Sequence, residues 1–238
     1  MGSSRNKMVK KPIILFFGAS SGIVKEILKY FKNNYQIYAF YNKNNPKKKH
    51  NLKKKIKLNL LSDKDILNKI KKINFHNSKI IVVNFASVKI DKISLFVNNQ
   101  DIKKTFQINT FSFLKIIQII LPFMMKFKWG RVINISSTGG LIGDKGTLLY
   151  SSSKNATRSM IEVMSKEYAN FNITFNTLKL GNFNFGLYKL LKKEVKEEIL
   201  KKVPSHKTGN IKNIYNAIKF LIESDYVNGS SIKIDGGL

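Results

Sequence analysis

Short apolar runs and helical patterns take turns along almost the whole of this 238-residue chain, and no other feature restricts its fold so strongly. Runs of strand length occupy residues 13–17, 35–41, 55–60, 79–84, 131–136, 173–179 and 231–235. Helical spacing occupies residues 22–33, 63–73, 101–127, 150–170, 188–202 and 210–223. A strand that feeds a helix crossing back over the sheet meets its next strand in parallel, so the alternation predicts βαβ units. The runs "KIIVVNF" and "GRVINIS" are almost continuously apolar, as a strand must be when helices cover both faces of its sheet. Ser62, with Asp63 and Asp65 behind it, supplies a capping hydroxyl and two acids for the first turn of the second helix. The expected fold is α/β and doubly wound: a mostly parallel sheet of seven strands with helices on both faces.

No internal repeat and no Gly/Pro-rich linker interrupts the pattern, which predicts a flexible N-terminus over residues 1–10 and one Rossmann-type domain over 11–238. The chain has no cysteine, which excludes disulfides, thiol nucleophiles and thiolate metal sites. Its three histidines, His50, His76 and His206, have no metal-ligand spacing, and no metal is expected. The formal charge of +29 raises the question of nucleic acid. Only Arg5, Arg131 and Arg158 among 43 basic residues are arginine, however, and readers of phosphates and bases favour that planar fork. The lysines are spread along the chain, including the basic loop 42–55, as on a solvated surface, so nucleic-acid binding is not expected. The opening "MGSSRNKMVKK" lacks the apolar stretch of a signal peptide. The most apolar window, residues 111–125, is shorter than the roughly 20 residues of a membrane span. A soluble, cytoplasmic protein without a membrane segment is the expectation.

Two features carry chemistry. The first is "GASSGIV" at residues 18–24, between the first strand and the first helix. Glycines there let backbone approach a pyrophosphate at the helix start, and Gly18 and Gly22 stand in that context. The second is "YSSSK", which puts Tyr150 and Lys154 four residues apart on one helix face, 13 residues after Ser137 at the end of a strand. A phenol ionises near pH ~10, and an ammonium beside it favours the phenolate and brings the proton closer to use. A serine hydroxyl can hold a substrate oxygen while the tyrosine passes it a proton.

Together these residues resemble the short-chain dehydrogenase/reductase family from about Lys11 to Leu238. Its glycine turn corresponds to Gly18, Ser20, Ser21, Gly22 and Ile23. The family's Asn-Asn-Ala-Gly after the fourth strand is matched in part by Asn84-Phe85-Ala86-Ser87, with Asn84 and Ala86 retained. The resemblance implies catalytic roles for Asn109, Ser137, Tyr150 and Lys154, with Tyr150 and Lys154 also holding the cofactor. It further implies that Gly181, after the sixth strand, and Asn59, at the adenine, contact the cofactor, and that Asn109 positions a water leading from Lys154. Phe17, Val24, Phe85, Ser87 and Leu180 depart from the family pattern. The third glycine serves close helix–strand packing, so Val24 predicts a repacked helix and not a lost phosphate site.

The second strand ends "YAFYNK" and offers no acid for a ribose 2′-hydroxyl, while Asn42 and Lys43 could face a 2′-phosphate. NADPH/NADP+ is therefore expected ahead of NADH. The resemblance implies hydride transfer between nicotinamide and a carbonyl or alcohol carbon. Within the family the chain is most similar to 3-oxoacyl-carrier-protein reductases, which take a carrier-bound substrate. Lys128 and Arg131 are candidates to receive an acidic carrier, whereas Phe171 stands where an arginine is expected. An enzyme acting on a sugar or secondary-metabolite intermediate, and a non-catalytic dinucleotide-binding scaffold, are the alternatives. The family commonly forms homo-oligomers, so a dimer or tetramer is expected.

Overall fold

Successive side chains of an extended strand point to opposite faces, and the first strand shows what that demands here. β1 (Ile13–Phe17) buries all five residues: Ile13, Leu15 and Phe17 join one apolar cluster, Ile14 and Phe16 the other. The chain is described by a computed structural model over residues 10–31, 33–45, 52–138, 144–185, 188 and 191–238. Residues 1–9 of the expected flexible N-terminus and part of the loop 42–55 lie outside those described.

Seven strands form one sheet: β1, β2 (Gln36–Tyr41), β3 (Leu52–Lys57), β4 (Ile80–Asn84), β5 (Gly130–Ser137), β6 (Ile173–Leu180) and β7 (Ser231–Ile234). Their order is β3-β2-β1-β4-β5-β6-β7, and every pairing is parallel. The chain winds outward from β1 to β3, then crosses back to β4 and winds the other way. The reversal leaves a crevice beyond the carboxyl ends of β1 and β4, where this architecture binds ligands. α1 (Gly22–Ile27) and α7 (Ile211–Glu223) cover one face; α2 (Asp63–Ile70), α4 (Ser112–Phe127) and α5 (Leu148–Glu167) cover the other. α3 (Asn99–Phe106) runs into α4 through a wider π-helical turn, Gln107–Phe111, and α6 (Lys193–Lys202) precedes α7. α3 opens on a reciprocal cap in which Asn98 and Asp101 satisfy each other's backbone N–H. As expected, the Ser62 hydroxyl caps α2 by accepting from the Asp65 N–H.

Three expectations need correction. β3 lies three residues earlier than its apolar pattern indicates and is built largely of lysine, with Ile56 the only buried residue in it. It is the sheet's edge, and an edge strand need not present two apolar faces. α1 ends at Ile27, well short of residue 33, because the chain tightens into three-residue turns through Lys29 and Tyr30. Tyr30 and Phe31 then pack their rings on Tyr215 of α7, at 5.4 and 5.1 Å between centroids. The apolar window 111–125 belongs to a helical run of 29 residues, Asn99–Phe127, long enough to span a bilayer. Half of its most apolar window is buried in the fold, with Phe113, Ile116, Ile117 and Ile120 packed in the core, so it reads as a core helix.

Val24 is wholly buried in the cluster that holds Phe16, Ile27 and Ile218. The position is filled and packed, which explains why this chain does without the third glycine. Val24→Gly, which restores the family residue, is expected to destabilise the fold by about 3 kcal/mol, from lost apolar burial and helical backbone entropy. Urea unfolding of both proteins checks it.

Candidate active site

The carboxyl ends of β1, β2 and β4 open onto a cavity of about 620 Å³. Phe17 and Phe40 stack 4.4 Å apart in its wall, where a smaller residue is expected at position 17. Gly18 adopts φ +81°, and a Cβ there would sit 2.6 Å from the Ala86 nitrogen, so only glycine lets the turn pass the end of β4. The Ser20 hydroxyl accepts the Asn42 N–H at 3.3 Å, tying the turn to the end of β2. The Ser21 hydroxyl accepts the Ile23 N–H at 3.2 Å and caps α1. Asn42, Lys43 and Lys104 line the cavity, and among the described residues no carboxylate does.

Of the cofactor residues read from sequence, Gly18, Ser20, Ser21, Asn42, Lys43 and Ala86 line this cavity. The others stand behind or beside it. Asn84 donates to the Asn134 side chain at 2.9 Å and accepts the Ala86 N–H at 3.2 Å, shaping the end of β4. Gly181 passes so close to β7 that a Cβ would lie 2.6 Å from the Asp235 Cα. A Cβ on Gly22 would meet only the Phe185 ring, at 3.5 Å. Asn59 is exposed and turns its side-chain oxygen to the Leu61 N–H at 3.1 Å, while its neighbours Leu58 and Leu60 do line the cavity.

One hydrogen-bonded frame joins Asn109 to the helix of Tyr150 and Lys154, and Lys154 ties that helix to β5, the strand that ends at Ser137. The π-helical turn carries Asn109, whose amide oxygen accepts the Val88 N–H at 2.8 Å. Its nitrogen donates to the Val88 carbonyl and to the Ser153 hydroxyl, both at 2.9 Å. Ser153 in turn donates to the Tyr150 carbonyl at 2.9 Å, and Thr157 donates to the Asn109 carbonyl at 3.0 Å. Lys154 is buried and donates to the Ile135 carbonyl at 3.0 Å, with its nitrogen 5.7 Å from the Tyr150 ring centre. The Ser137 and Ser87 side chains favour the ionised form of the Tyr150 phenol. Sequence reasoning missed Ser87 as a site residue; its departure from the family's glycine was the available signal.

A family model described as short chain dehydrogenase matches residues 12–196. The chain belongs to the short-chain dehydrogenase family. Among similar curated proteins, a 3-oxoacyl-[acyl-carrier-protein] reductase FabG of Aquifex aeolicus is 28% identical over 77% of this chain and 75% of its own length. The FabG of Buchnera aphidicola subsp. Schizaphis graminum is also 28% identical, over 97% of this chain and 98% of its own. The solved structure of ElxO with NADP bound superposes with a TM-score of 0.84 over 95% of this chain and 98% of that one, at 22% identity. Family membership makes the protein an NAD(P)-dependent oxidoreductase.

In this short-chain dehydrogenase the electrostatics differ from the expected tyrosine–lysine couple. Burial holds the Tyr150 phenol above its ordinary value; Ser87 and Ser137 pull it back, and the Asp91 carboxylate pushes it up. Lys154 does not reverse the balance, because its ammonium faces the Ile135 carbonyl and is itself driven down to about 8 by burial. Arg131 is also not what its sequence position implies. It is buried, bonded to the carbonyls of Gly130, Asn172 and Ile222 and stacked 4.4 Å from Trp129, so it cannot receive a carrier protein. Lys128 stays exposed, and Phe171 packs partly buried against the core.

The Lys154 value sets a pH test. Its unfolded form holds its proton to about pH 10.4, whereas the folded form releases it near 8, so its burial destabilises the fold fully below pH 8. Lys154→Met is therefore expected to be more stable than wild type by about 3 kcal/mol at pH 7, an advantage that fades between pH 8 and 10.5. Chemical unfolding of both proteins across that range reads it directly.

Proposed function

We propose that this short-chain dehydrogenase is an NADP(H)-dependent reductase of a carbonyl substrate. The supporting observation is a cavity whose lining, among the described residues, holds Asn42, Lys43 and Lys104 and no carboxylate, at the carboxyl edge of the sheet where β5 ends at Ser137. Gly18, Ser20 and Ser21 would take the pyrophosphate, and Asn42 with Lys43 the 2′-phosphate. The similar structure of ElxO with NADP bound supports this choice of cofactor.

When bound, the dinucleotide supplies a hydride to the carbonyl carbon. Ser137 and Tyr150 donate hydrogen bonds to the carbonyl oxygen, and Tyr150 gives it a proton as negative charge develops there. Lys154 would hold the nicotinamide ribose and, positively charged, would steady the phenolate left on Tyr150. Asn109 would position a water through which Lys154 recovers its proton. The substrate we favour is a 3-oxoacyl thioester on an acidic carrier, in keeping with the FabG relatives, exposed Lys128 and a net charge of +29 that would speed encounter with an anionic partner. Exposed Phe111, Leu148 and Val163 on the long helices support a homodimer or tetramer, and the reading places the enzyme in the cytoplasm.

NADPH is expected to bind at least tenfold more tightly than NADH when each is titrated by nicotinamide fluorescence. Trp129 is a poor reporter, since it precedes the amino end of β5 and lies away from the cavity. Tyr150→Phe is expected to lower kcat by roughly 10²–10⁴ with 3-oxoacyl thioesters while leaving NADPH affinity close to wild type. Full turnover in that variant would remove Tyr150 from the chemistry.

A further inference from the structure

Lys104 is where α3 meets the cofactor cavity. It lines the cavity and is open to solvent, whereas Lys103, beside it on the same helix, is exposed and does not line it. The two acids beside Lys104 are already engaged. Asp101, one turn earlier, pairs with Lys92 at 2.6 Å, and Asp63 accepts the amide of Gln107, one turn later, at 3.2 Å. Among the described residues, none forms a hydrogen bond or ion pair with the Lys104 ammonium.

Hydrogen bonds also fix which part of the cavity Lys104 belongs to. Gln107, on its helix face, reaches the Leu60 carbonyl at 3.5 Å, and the Leu58 N–H donates to the Tyr41 carbonyl at 2.7 Å. α3 is thus tied to the loop after β3, and that loop to the end of β2, next to Asn42 and Lys43. The end of β2 is where this architecture places the adenosine ribose of a dinucleotide. Leu58, Leu60 and Ile108 add apolar wall on this side.

We propose that Lys104 is a specificity-determining residue for the cofactor: its ammonium joins Lys43 in favouring a phosphate on the adenosine ribose, so that NADP(H) is selected from α3 as well as from the end of β2. The proposal rests on the reading of this cavity as the dinucleotide site. A phosphate monoester carries a charge of about −1.5 to −2 at neutral pH, and that group is the whole difference between NADPH and NADH. A lysine is a flexible point charge, so it can follow the phosphate without a rigid fork to hold it.

Nicotinamide fluorescence titrations of NADPH and NADH into wild type, Lys104→Gln and Lys103→Gln provide the test. Lys104→Gln is expected to raise the Kd of NADPH about fivefold and that of NADH less than twofold, with the NADPH loss shrinking as salt is added. Lys103→Gln, which removes the same charge from a side chain outside the cavity, is expected to leave both constants unchanged. Equal losses of NADPH and NADH in Lys104→Gln, or no loss of either, would overturn the proposal. So would a matching loss in Lys103→Gln, since overall charge and not position would then be responsible. A wild type that binds neither nucleotide would overturn it together with the cofactor reading. A wild type that binds both equally would sink only the preference for NADPH, and a selective loss of NADPH in Lys104→Gln would still carry the proposal.

Discussion

The Asn109 amide accepts the Val88 N–H at 2.8 Å and donates to the Val88 carbonyl at 2.9 Å, pairing with a backbone segment as a neighbouring strand would. That segment follows β4 and belongs to no helix or strand. Without Asn109 its polar groups would face a buried side chain with no partner, at a cost of about 1–3 kcal/mol for each. The same amide reaches Ser153, and through it the turn of helix that carries Tyr150. The wider π-helical turn belongs to this arrangement, since Asn109 projects from it while Thr157 satisfies its carbonyl. Local irregularities of this kind recur at functional sites because they aim a side chain that a regular helix would aim elsewhere.

Burial then sets the electrostatic character of the site. It raises the phenol of Tyr150 and lowers the ammonium of Lys154, so each is biased toward its neutral form. A phenol in that state is a reluctant acid toward water. In the proposed reduction it would still be competent toward an alkoxide, which is by far the stronger base. The side chains of Ser87 and Ser137 moderate the bias on Tyr150.

Much of the architecture could be read from residues alone because burial leaves a plain pattern. β4 and β5, covered on both faces, spell themselves as apolar runs, and Tyr150, Lys154 and Ser137 could be grouped by spacing on elements that were themselves readable. β3 was misplaced for the opposite reason: at the sheet's edge, four lysines can pass through a strand without cost. The end of α1 depends on aromatic rings meeting Tyr215, nearly two hundred residues away, and no local window reports that. Arg131 looked like a surface charge among many, yet it is bonded to carbonyls from three separate parts of the chain. Asn109 was picked out by resemblance, but its grip on Val88 and Ser153 joins residues 21 and 44 positions away, which spacing cannot express.

The claim on which the site depends is that Asn109 holds the segment after β4 as firmly as a strand. Hydrogen exchange of the Val88 amide, followed by NMR in the wild-type protein, measures that grip directly. The account predicts protection close to that of the β4 amides, although Val88 lies outside the sheet. Exchange as fast as at exposed Lys89, one residue on, would contradict it and leave the residues proposed as catalytic without a common anchor.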